Sequence, residues 1–302
     1  MSLNEIRYRI IHISMLHVVS RKTIYRFLAK DSTLATIYEM SPSEIHLQFS
    51  IPIRTAGRLH QKLHDRRFKK KLIDYLNNYK VITILDEEYP SLLKTISAPP
   101  LVVYALGDDS LLKEHKTLSV IGSREPSYEA KPKMDYILAP LLAEKWVIIS
   151  GMAKGIDGYA HELALSRKAK TIAVLGGGFE YIYPKEHIPL FKRMIVEGLV
   201  LSEYPPFVRP ARHHFPERNR IISGLSFGTL VIEAMEKSGT MITVGQALEQ
   251  GREVFAVPGS PLIPQTKGCH LLIQEGAKLT QHADDIIDEW IAQNESGKLK
   301  NA

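Results

Sequence analysis

Four short glycine-bearing loops are the stretches of this sequence whose residue types suit chemistry. Each follows a strand candidate; the four are Gly122-Ser123-Arg124, S-G-M-A-K-G-I-D (150–157), G-G-G-F (176–179) and P-G-S (258–260). In open α/β sheets such loops gather at the carboxyl ends of the strands, where backbone N–H groups and helix N-termini favour anions. One glycine turn is common in such folds. Four along one sheet edge predict a groove that admits a nucleotide or an extended phosphodiester backbone.

Permanent positive charges accompany these loops. Arg124 ends the first loop with a forked donor that suits phosphate, although an ordinary surface arginine beside a tight turn is the alternative. Arg218 and Arg220 stand near the start of a helix candidate within F-P-E-R-N-R-I-I-S-G-L (215–225). Because they are two residues apart they point to different faces, and we expect at least one of them to contact an anion. Phe215 is expected to fill the core, with stacking on a base as the alternative.

The spacing of the glycines and acids argues against familiar enzymes. No G-x-x-x-x-G-K-[ST] occurs, which argues against a P-loop ATPase. The run 176–178 does not supply G-x-G-x-x-G, and no acidic residue ends a following strand at the ribose distance, which argues against a dinucleotide dehydrogenase. Asp157 and His161 lie four apart, but without a third partner we expect a loop-anchoring or intrahelical contact. We expect no metal site and no cofactor.

Alternating strands and helices must position these loops. From residue 117 onward the two kinds of element alternate, which is typical of a parallel α/β sheet. The predicted strands are 118–121, 146–149, 171–175, 199–201, 229–232 and 253–257. The predicted helices are near 128–145, 154–168, 186–197, 217–224 and 240–250. Two earlier strand-like runs, 81–85 and 101–106, are expected to extend the edge of this sheet.

The chain divides by pattern into three predicted parts. Residues 1–79 have apolar residues at helical spacing and predict a small helical domain, SAM- or helix-hairpin-like. Residues 80–283 hold the α/β pattern, and 284–302 form a short C-terminal tail. The helical part contains the basic run R-L-H-Q-K-L-H-D-R-R-F-K-K-K (58–71). We expect a solvated helix face there, with an auxiliary nucleic-acid patch as the alternative.

Composition sets limits on compartment and partner. The formal net charge of +6 and the pI near 9.1 permit a polyanionic partner without proving one. The single cysteine, Cys269, excludes an intrachain disulfide and a cysteine-based zinc site. No apolar run reaches transmembrane length, and the N-terminus lacks the layout of a secretory signal. We therefore expect a cytoplasmic protein with no membrane partner.

Seven blocks of the sequence resemble the DNA-processing protein A (DprA/Smf) family. They are G-S-R (122–124), S-G-M-A-K-G-I-D-x-x-A-H (150–161), Y-P-K (183–185), L-S-E-Y-P (201–205), F-P-E-R-N-R-I-I-S-G-L (215–225), S-G-T-x-I-T (238–243) and G-R-E-V-F-A-V-P-G-S (251–260). The resemblance implies an extended Rossmann-like domain that binds single-stranded DNA. It also implies a homodimer that is not an enzyme, which protects incoming strands during natural transformation and loads the recombinase RecA.

The resemblance also indicates which residues contact DNA. By position, Arg124 of G-S-R and Lys185 of Y-P-K match the DNA-backbone contacts of the family. Lys154 stands where the family usually has arginine, which keeps the charge but loses the bidentate fork. Arg218, Arg220 and Arg252 are further candidates from charge and placement. The complete predicted set is Gly122, Ser123, Arg124, Lys154, Lys185, Arg218, Arg220 and Arg252.

The segment G-C-H-L-L-I-Q-E-G-A-K-L (268–279) is the predicted dimer interface. Its consecutive apolar residues cover more than one face of a short helix, so one face can remain free for a partner. The family resemblance points to the same region; the alternative is that these apolar side chains are all core. The predicted interface residues are His270, Leu271, Leu272 and Ile273.

Two other functions compete with DNA binding. A nucleotide phosphoribohydrolase of related Rossmann-like fold also uses a glycine-containing phosphate loop with a glutamate, which Glu233 beside 238–240 faintly resembles. The order of elements and the R-N-R block (218–220) argue against this enzyme. The third possibility is a scaffold whose basic surface contacts only other proteins.

Overall fold

The computed structural model describes residues 3–295, and the chain forms two compact units. The first unit comprises the residues up to Glu87 together with Pro100–Tyr104. The second comprises Glu88–Pro99 and the residues from Ala105 onward. The sequence places the boundary earlier, after residue 79, and the three-part division at 79 and 283 stays a prediction.

The first unit is built mainly from helices. They are α1 (Leu3–Leu16), α2 (Arg21–Lys30), α3 (Thr36–Glu39), α4 (Pro42–Phe49), α5 (Ile53–Leu63) and α6 (Arg66–Asn78), followed by strand β1 (Lys80–Thr83). Ser41 begins α4 with a capping box, because its side chain accepts from the Glu44 N–H and the Glu44 carboxylate accepts from the Ser41 N–H. Arg7 of α1 pairs with Asp86 at 2.8 Å and so ties the first helix to the turn after β1.

The second unit alternates strands and helices, as the sequence predicts. Its elements begin with α7 (Ser91–Lys94), and β2 (Val102–Gly107) runs across the boundary between the units. The later strands are β3 (Thr117–Ile121), β4 (Val147–Ser150), β5 (Thr171–Leu175), β6 (Leu199–Ser202), β7 (Gly228–Val231), β8 (Glu253–Ala256) and β9 (Lys278–Leu279). The later helices are α8 (Ala130–Ala143), α9 (Ile156–Ser166), α10 (Ile188–Glu197), α11 (His214–Gly224), α12 (Gly239–Glu249), α13 (Lys267–Gln274) and α14 (Asp284–Glu295).

The strands of this unit form a parallel sheet in the order β6-β5-β4-β3-β7-β8-β9. Strand β3 lies between β4 and β7, so the chain first builds the sheet on one side of β3 and then returns to build the other. Such a reversal opens a crevice beyond the carboxyl ends of the strands. The α/β fold class with a parallel sheet is therefore confirmed, and the reversal at β3 predicts where a ligand binds.

The main core of this unit surrounds Trp146, which is fully buried. Apolar side chains of β3 and α8 belong to this core, among them Leu118, Val120 and Leu138. Ile286 of α14 joins the same cluster with no exposed surface, so most of the predicted C-terminal tail is a packed helix. The rest of that tail, 296–302, lies outside the described residues. No helix within residues 3–295 has the length and apolarity to cross a membrane.

Candidate nucleic-acid interface

A cavity of about 700 Å³ opens at the carboxyl ends of β3, β4 and β7. Its walls come from the loop after β3, the start of α9, the first turns of α11 and the segment 235–243 that begins α12. Two of the four predicted glycine loops, 122–124 and 150–157, contribute to it. The loops 176–179 and 258–260 do not line it. The first of these is covered by the segment after β6, because Gly178 N–H donates to Val208 O at 2.8 Å.

The loop after β3 is held by backbone hydrogen bonds on both sides. Ser123 N–H donates to Glu233 O at 2.8 Å, and Ser123 O accepts from Ile156 N–H at 3.1 Å. Gly155 makes this approach possible, because it has φ +79° and a Cβ there would collide with Ser123 O. Ser123 is consequently buried, whereas Arg124 stays exposed at the rim of the cavity. The loop therefore presents one permanent charge from a fixed backbone.

Asp157 anchors the neighbouring loop from the first turn of α9. Its carboxylate accepts from Gly151 N–H at 3.1 Å and from Ala153 N–H at 3.4 Å. Burial raises the pKa of Asp157, and the charge of Arg218 opposes that shift. The predicted loop-anchoring contact is confirmed. Among residues 3–295 no group of three or more His, Cys, Asp or Glu is arranged to hold a metal ion.

Arg218 is a buried guanidinium on the wall of the cavity. Its Nη1 donates to Gly151 O and, at 2.5 Å, to Val174 O. One side chain thus joins the loop after β4 to the carboxyl end of β5. Burial lowers its pKa to about 10, which leaves the group charged at neutral pH. Arg218 therefore has a structural role and also adds positive charge to the cavity it lines.

The other two predicted arginines lie away from the cavity. Arg220 is buried and forms an ion pair with Glu203. Arg252 donates from Nη2 to Leu92 O at 2.7 Å and to Thr95 Oγ1 at 3.2 Å. Each of these two charges is thus directed at the protein itself. Contacts of Arg220 and Arg252 with DNA stay predictions, and the placement of these side chains does not favour them.

The two predicted lysines are exposed near the cavity without lining it. Lys154 Nζ lies 3.9 Å from Glu186 Oε1, and because both side chains are more than half exposed this pair is weak. Lys185 is exposed and stands two residues after Tyr183, which lines the cavity. Both lysines are therefore available to an extended ligand that leaves the cavity.

Sequence reasoning missed two exposed cations that line the cavity, Arg212 and Lys237. Each stands alone in a loop before a helix, and no motif distinguishes it from an ordinary surface charge. Only the fold brings them to the same cavity as Arg124. Two aromatic rings complete the wall: Tyr183 is exposed, Phe215 is half-buried, and their centroids are 5.7 Å apart. Phe215 is therefore not simply a core residue, as the sequence suggested.

Glu233 has no access to the cavity, which bears on the phosphoribohydrolase alternative. Its side chain has no exposed surface and accepts from Ser127 N–H at 2.7 Å and Ser127 Oγ–H at 2.5 Å. Among the described residues it does not line the cavity. The carboxylate thus holds the loop between β3 and α8 rather than facing a substrate.

The predicted dimer residues lie on α13 with different exposure. Leu272 is buried, with 3% of its surface accessible, so within one protomer it belongs to the core. His270, Leu271 and Ile273 are half-buried, and His270 Nε2 lies 3.0 Å from Gly259 O. The burial of Leu272 does not favour it as an interface residue, and the interface and the dimer both stay predictions.

The family model described as DNA recombination-mediator protein A matches residues 80–291. The chain belongs to this family. It is 46% identical over 213 residues to DNA processing protein DprA of Bacillus subtilis, and the alignment covers 70% of this chain and 72% of that protein. It is 36% identical over 292 residues to protein Smf of Escherichia coli, which covers 94% of this chain and 74% of that protein.

Two solved DprA structures have the same fold. DprA from Streptococcus pneumoniae superposes with a TM-score of 0.81 and 36% identity, covering 94% of this chain and 97% of that one. DprA from Helicobacter pylori superposes with a TM-score of 0.64 and 27% identity, covering 71% and 97%. The latter is described as having a unique single-stranded DNA binding mode. The DprA match 80–291 contains every residue of the cavity, and it confirms the resemblance seen in the sequence.

Proposed function

We propose that this DprA family member binds single-stranded DNA without sequence preference in the cavity beyond β3, β4 and β7. The observation that supports it is the combination of three exposed cations, Arg124, Arg212 and Lys237, with the aromatic rings of Tyr183 and Phe215. Cations hold phosphates of any sequence, and aromatic faces stack on any base. The single-stranded DNA binding of the Helicobacter pylori relative supports the same ligand.

On family membership we extend the proposal to a recombination mediator that acts as a homodimer and not as an enzyme. It protects incoming strands during natural transformation and loads the recombinase RecA onto them. A groove that holds phosphates by charge suits this task, because its affinity for DNA does not depend on the base sequence. A competing protein can therefore displace it from every sequence equally well. The burial of Glu233 supports the non-enzymatic part of the proposal.

The test is a comparison of Arg124→Gln with Arg193→Gln in equilibrium binding to labelled single strands. Arg193 is an exposed cation of α10 that pairs with Glu197 at 3.1 Å and does not line the cavity. For Arg124→Gln we expect weaker binding on every sequence and a salt slope reduced by about 0.7, the value for one phosphate on a single strand. Equal behaviour of the two variants would show that the cavity is the wrong site.

A second assay addresses hydrolysis. The purified protein incubated with adenosine monophosphate is expected to release no free base above background. Base release that disappears in Glu233→Gln would favour the phosphoribohydrolase alternative.

A further inference from the structure

The positive charge of the chain is concentrated in α5 and α6. From Ile53 to Asn78 there are eight Lys and Arg against two Asp, a net charge of +6, and the whole chain also has +6. The remainder of the protein is therefore neutral overall. This segment precedes residue 80, where the DprA family match begins, so the function proposed for the cavity does not account for it.

The spacing of these charges is unfavourable for the helices themselves. Arg54, Arg58 and Lys62 are four residues apart on α5, and Arg66 and Lys70 have the same spacing on α6. Like charges at this spacing repel and destabilise a helix. Helix α6 also has basic residues in its first turn, the end where the helix dipole disfavours cations, and the one carboxylate there is that of the N-cap Asp65. Stability of the fold therefore does not explain them.

No acidic side chain of residues 3–295 neutralises the main members of this cluster. The set without any ion pair within the described chain is Arg54, Arg58, Lys62, Arg66, Arg67 and Lys70. We call these six residues the cationic segment. All are exposed except Lys62, which is half-buried. Their charges are available to an external polyanion.

We propose that the cationic segment binds the phosphate backbone of duplex DNA. Arg54 and Lys62 are about 12 Å apart along the axis of α5, and over that length a duplex presents roughly seven phosphate charges. Single-strand binding usually adds stacking of bases on aromatic side chains. Phe68 of α6 is half-buried and stacks on His12 with centroids 5.9 Å apart. Tyr75 of the same helix is half-buried, stacks on Tyr79 with centroids 5.9 Å apart and has Lys71 Nζ 5.5 Å from its ring centroid. Cations without a free aromatic face match a duplex, whose bases are already stacked.

The experiment uses the full chain and compares two triple variants of equal charge. In one, Arg54→Gln, Arg58→Gln and Lys62→Gln neutralise the row on α5. In the matched control, Lys22→Gln, Arg26→Gln and Lys30→Gln neutralise three exposed cations with the same four-residue spacing on α2 of the same unit. Binding to a labelled duplex and to a labelled single strand is followed by fluorescence anisotropy across a salt series.

For the α5 variant we expect duplex affinity to fall by at least about tenfold and the salt slope to flatten by up to about 2.7, while the α2 control stays close to wild type. Single-strand affinity is expected to change little. The melting temperature should be unchanged or higher, because like-charge repulsion is removed. Since Lys62 is half-buried, a second variant, Arg66→Gln, Arg67→Gln and Lys70→Gln, repeats the test with exposed residues only.

Three results would overturn the proposal. The first is a wild-type chain that binds no duplex. The second is an equal loss of duplex affinity in the α2 control, which would show that only net charge matters. The third is loss of duplex binding in Arg124→Gln, which would place the duplex in the cavity. If Arg124→Gln weakens binding to single strands and not to the duplex, both proposals stand. If it changes binding to neither kind of DNA, only the proposal for the cavity is contradicted.

Discussion

His161 illustrates how burial determines the charge of one residue. The ring has no exposed surface, and its Nδ1 lies 2.7 Å from Thr171 Oγ1. The Thr171 hydroxyl gives its own proton to Ile148 O, so His161 Nδ1 must be the donor to Thr171. Burial, with smaller contributions from the charges of His187 and Arg218, lowers the pKa of His161 to about 3. The imidazole is therefore neutral in the folded protein.

This neutral imidazole predicts a loss of stability in mild acid. An unfolded histidine titrates near pH 6.5, so below that pH the unfolded chain binds a proton that the folded chain does not. The stabilisation is complete above pH 6.5 and is lost as the pH falls toward 3. At pH 5 the loss is about 2 kcal/mol. In urea denaturation, the stability difference between wild type and His161→Gln should shrink by that amount between pH 7 and about pH 5. A difference that stays constant would contradict this assignment, and the exposed His213→Gln is the control.

Arg218 and Arg124 are expected to fail in different assays. Arg218→Gln leaves the carbonyl oxygens of Gly151 and Val174 without their buried donor. We expect unfolding to become easier by about 2–4 kcal/mol. Arg124 is exposed and no hydrogen bond or ion pair of its side chain is found among residues 3–295, so Arg124→Gln should leave the denaturation midpoint unchanged. Equal midpoints for the two variants would show that Arg218 has no structural role.

Residue type and spacing identify some functional positions but not the partners of a charge. Arg124 could be predicted, because a glycine turn after a buried strand leads its neighbour to the sheet edge. Arg220 has the same chemistry, yet its partner Glu203 comes from the segment after β6 and is not visible in a local pattern. Lys237 is the reverse case: its sequence context is ordinary, and only the fold places it at the cavity.

At the scale of elements, the alternating pattern predicts the strands and helices well and their order poorly. Strand β5 has the predicted bounds 171–175, and α8 is shorter than predicted by two residues at each end. These elements are readable because buried parallel strands are continuous apolar runs. The pairing of β3 with β7 cannot be predicted from the local pattern, because the two strands are more than a hundred residues apart in the sequence. That pairing is what places 235–243 opposite the loop after β3.

Arg252 joins elements, which gives a prediction at this scale. Its guanidinium connects the start of β8 to α7 through Leu92 O and Thr95 Oγ1. Arg252→Met should destabilise the protein by about 1.5–3 kcal/mol, because hydrogen bonds from a charged donor are lost. Affinity for single-stranded DNA should stay at the wild-type value. A drop in affinity without any change in melting temperature would restore Arg252 as a DNA contact.

At the scale of the whole molecule, net charge predicts a polyanionic partner without locating it. The excess of +6 lies in α5 and α6, whereas the cavity has its own small group of cations and aromatic rings. Composition alone would assign both to one surface. The structure distinguishes them, because no residue of α5 or α6 lines the cavity.

The proposed homodimer is tested at this same scale through α13. Ile273 is half-buried there, whereas Leu272 is buried, so Ile273→Arg can remove an interface without disrupting the core and Leu272→Arg cannot. Val196→Arg on α10 is the control, since that side chain is 80% exposed. In sedimentation at micromolar concentration we expect a dimer for wild type and Val196→Arg, and a folded monomer for Ile273→Arg. The monomer should lose affinity for long strands more than for short ones, because two linked grooves raise avidity without any new contact. A monomeric wild type, or a dimeric Ile273→Arg, would exclude this interface.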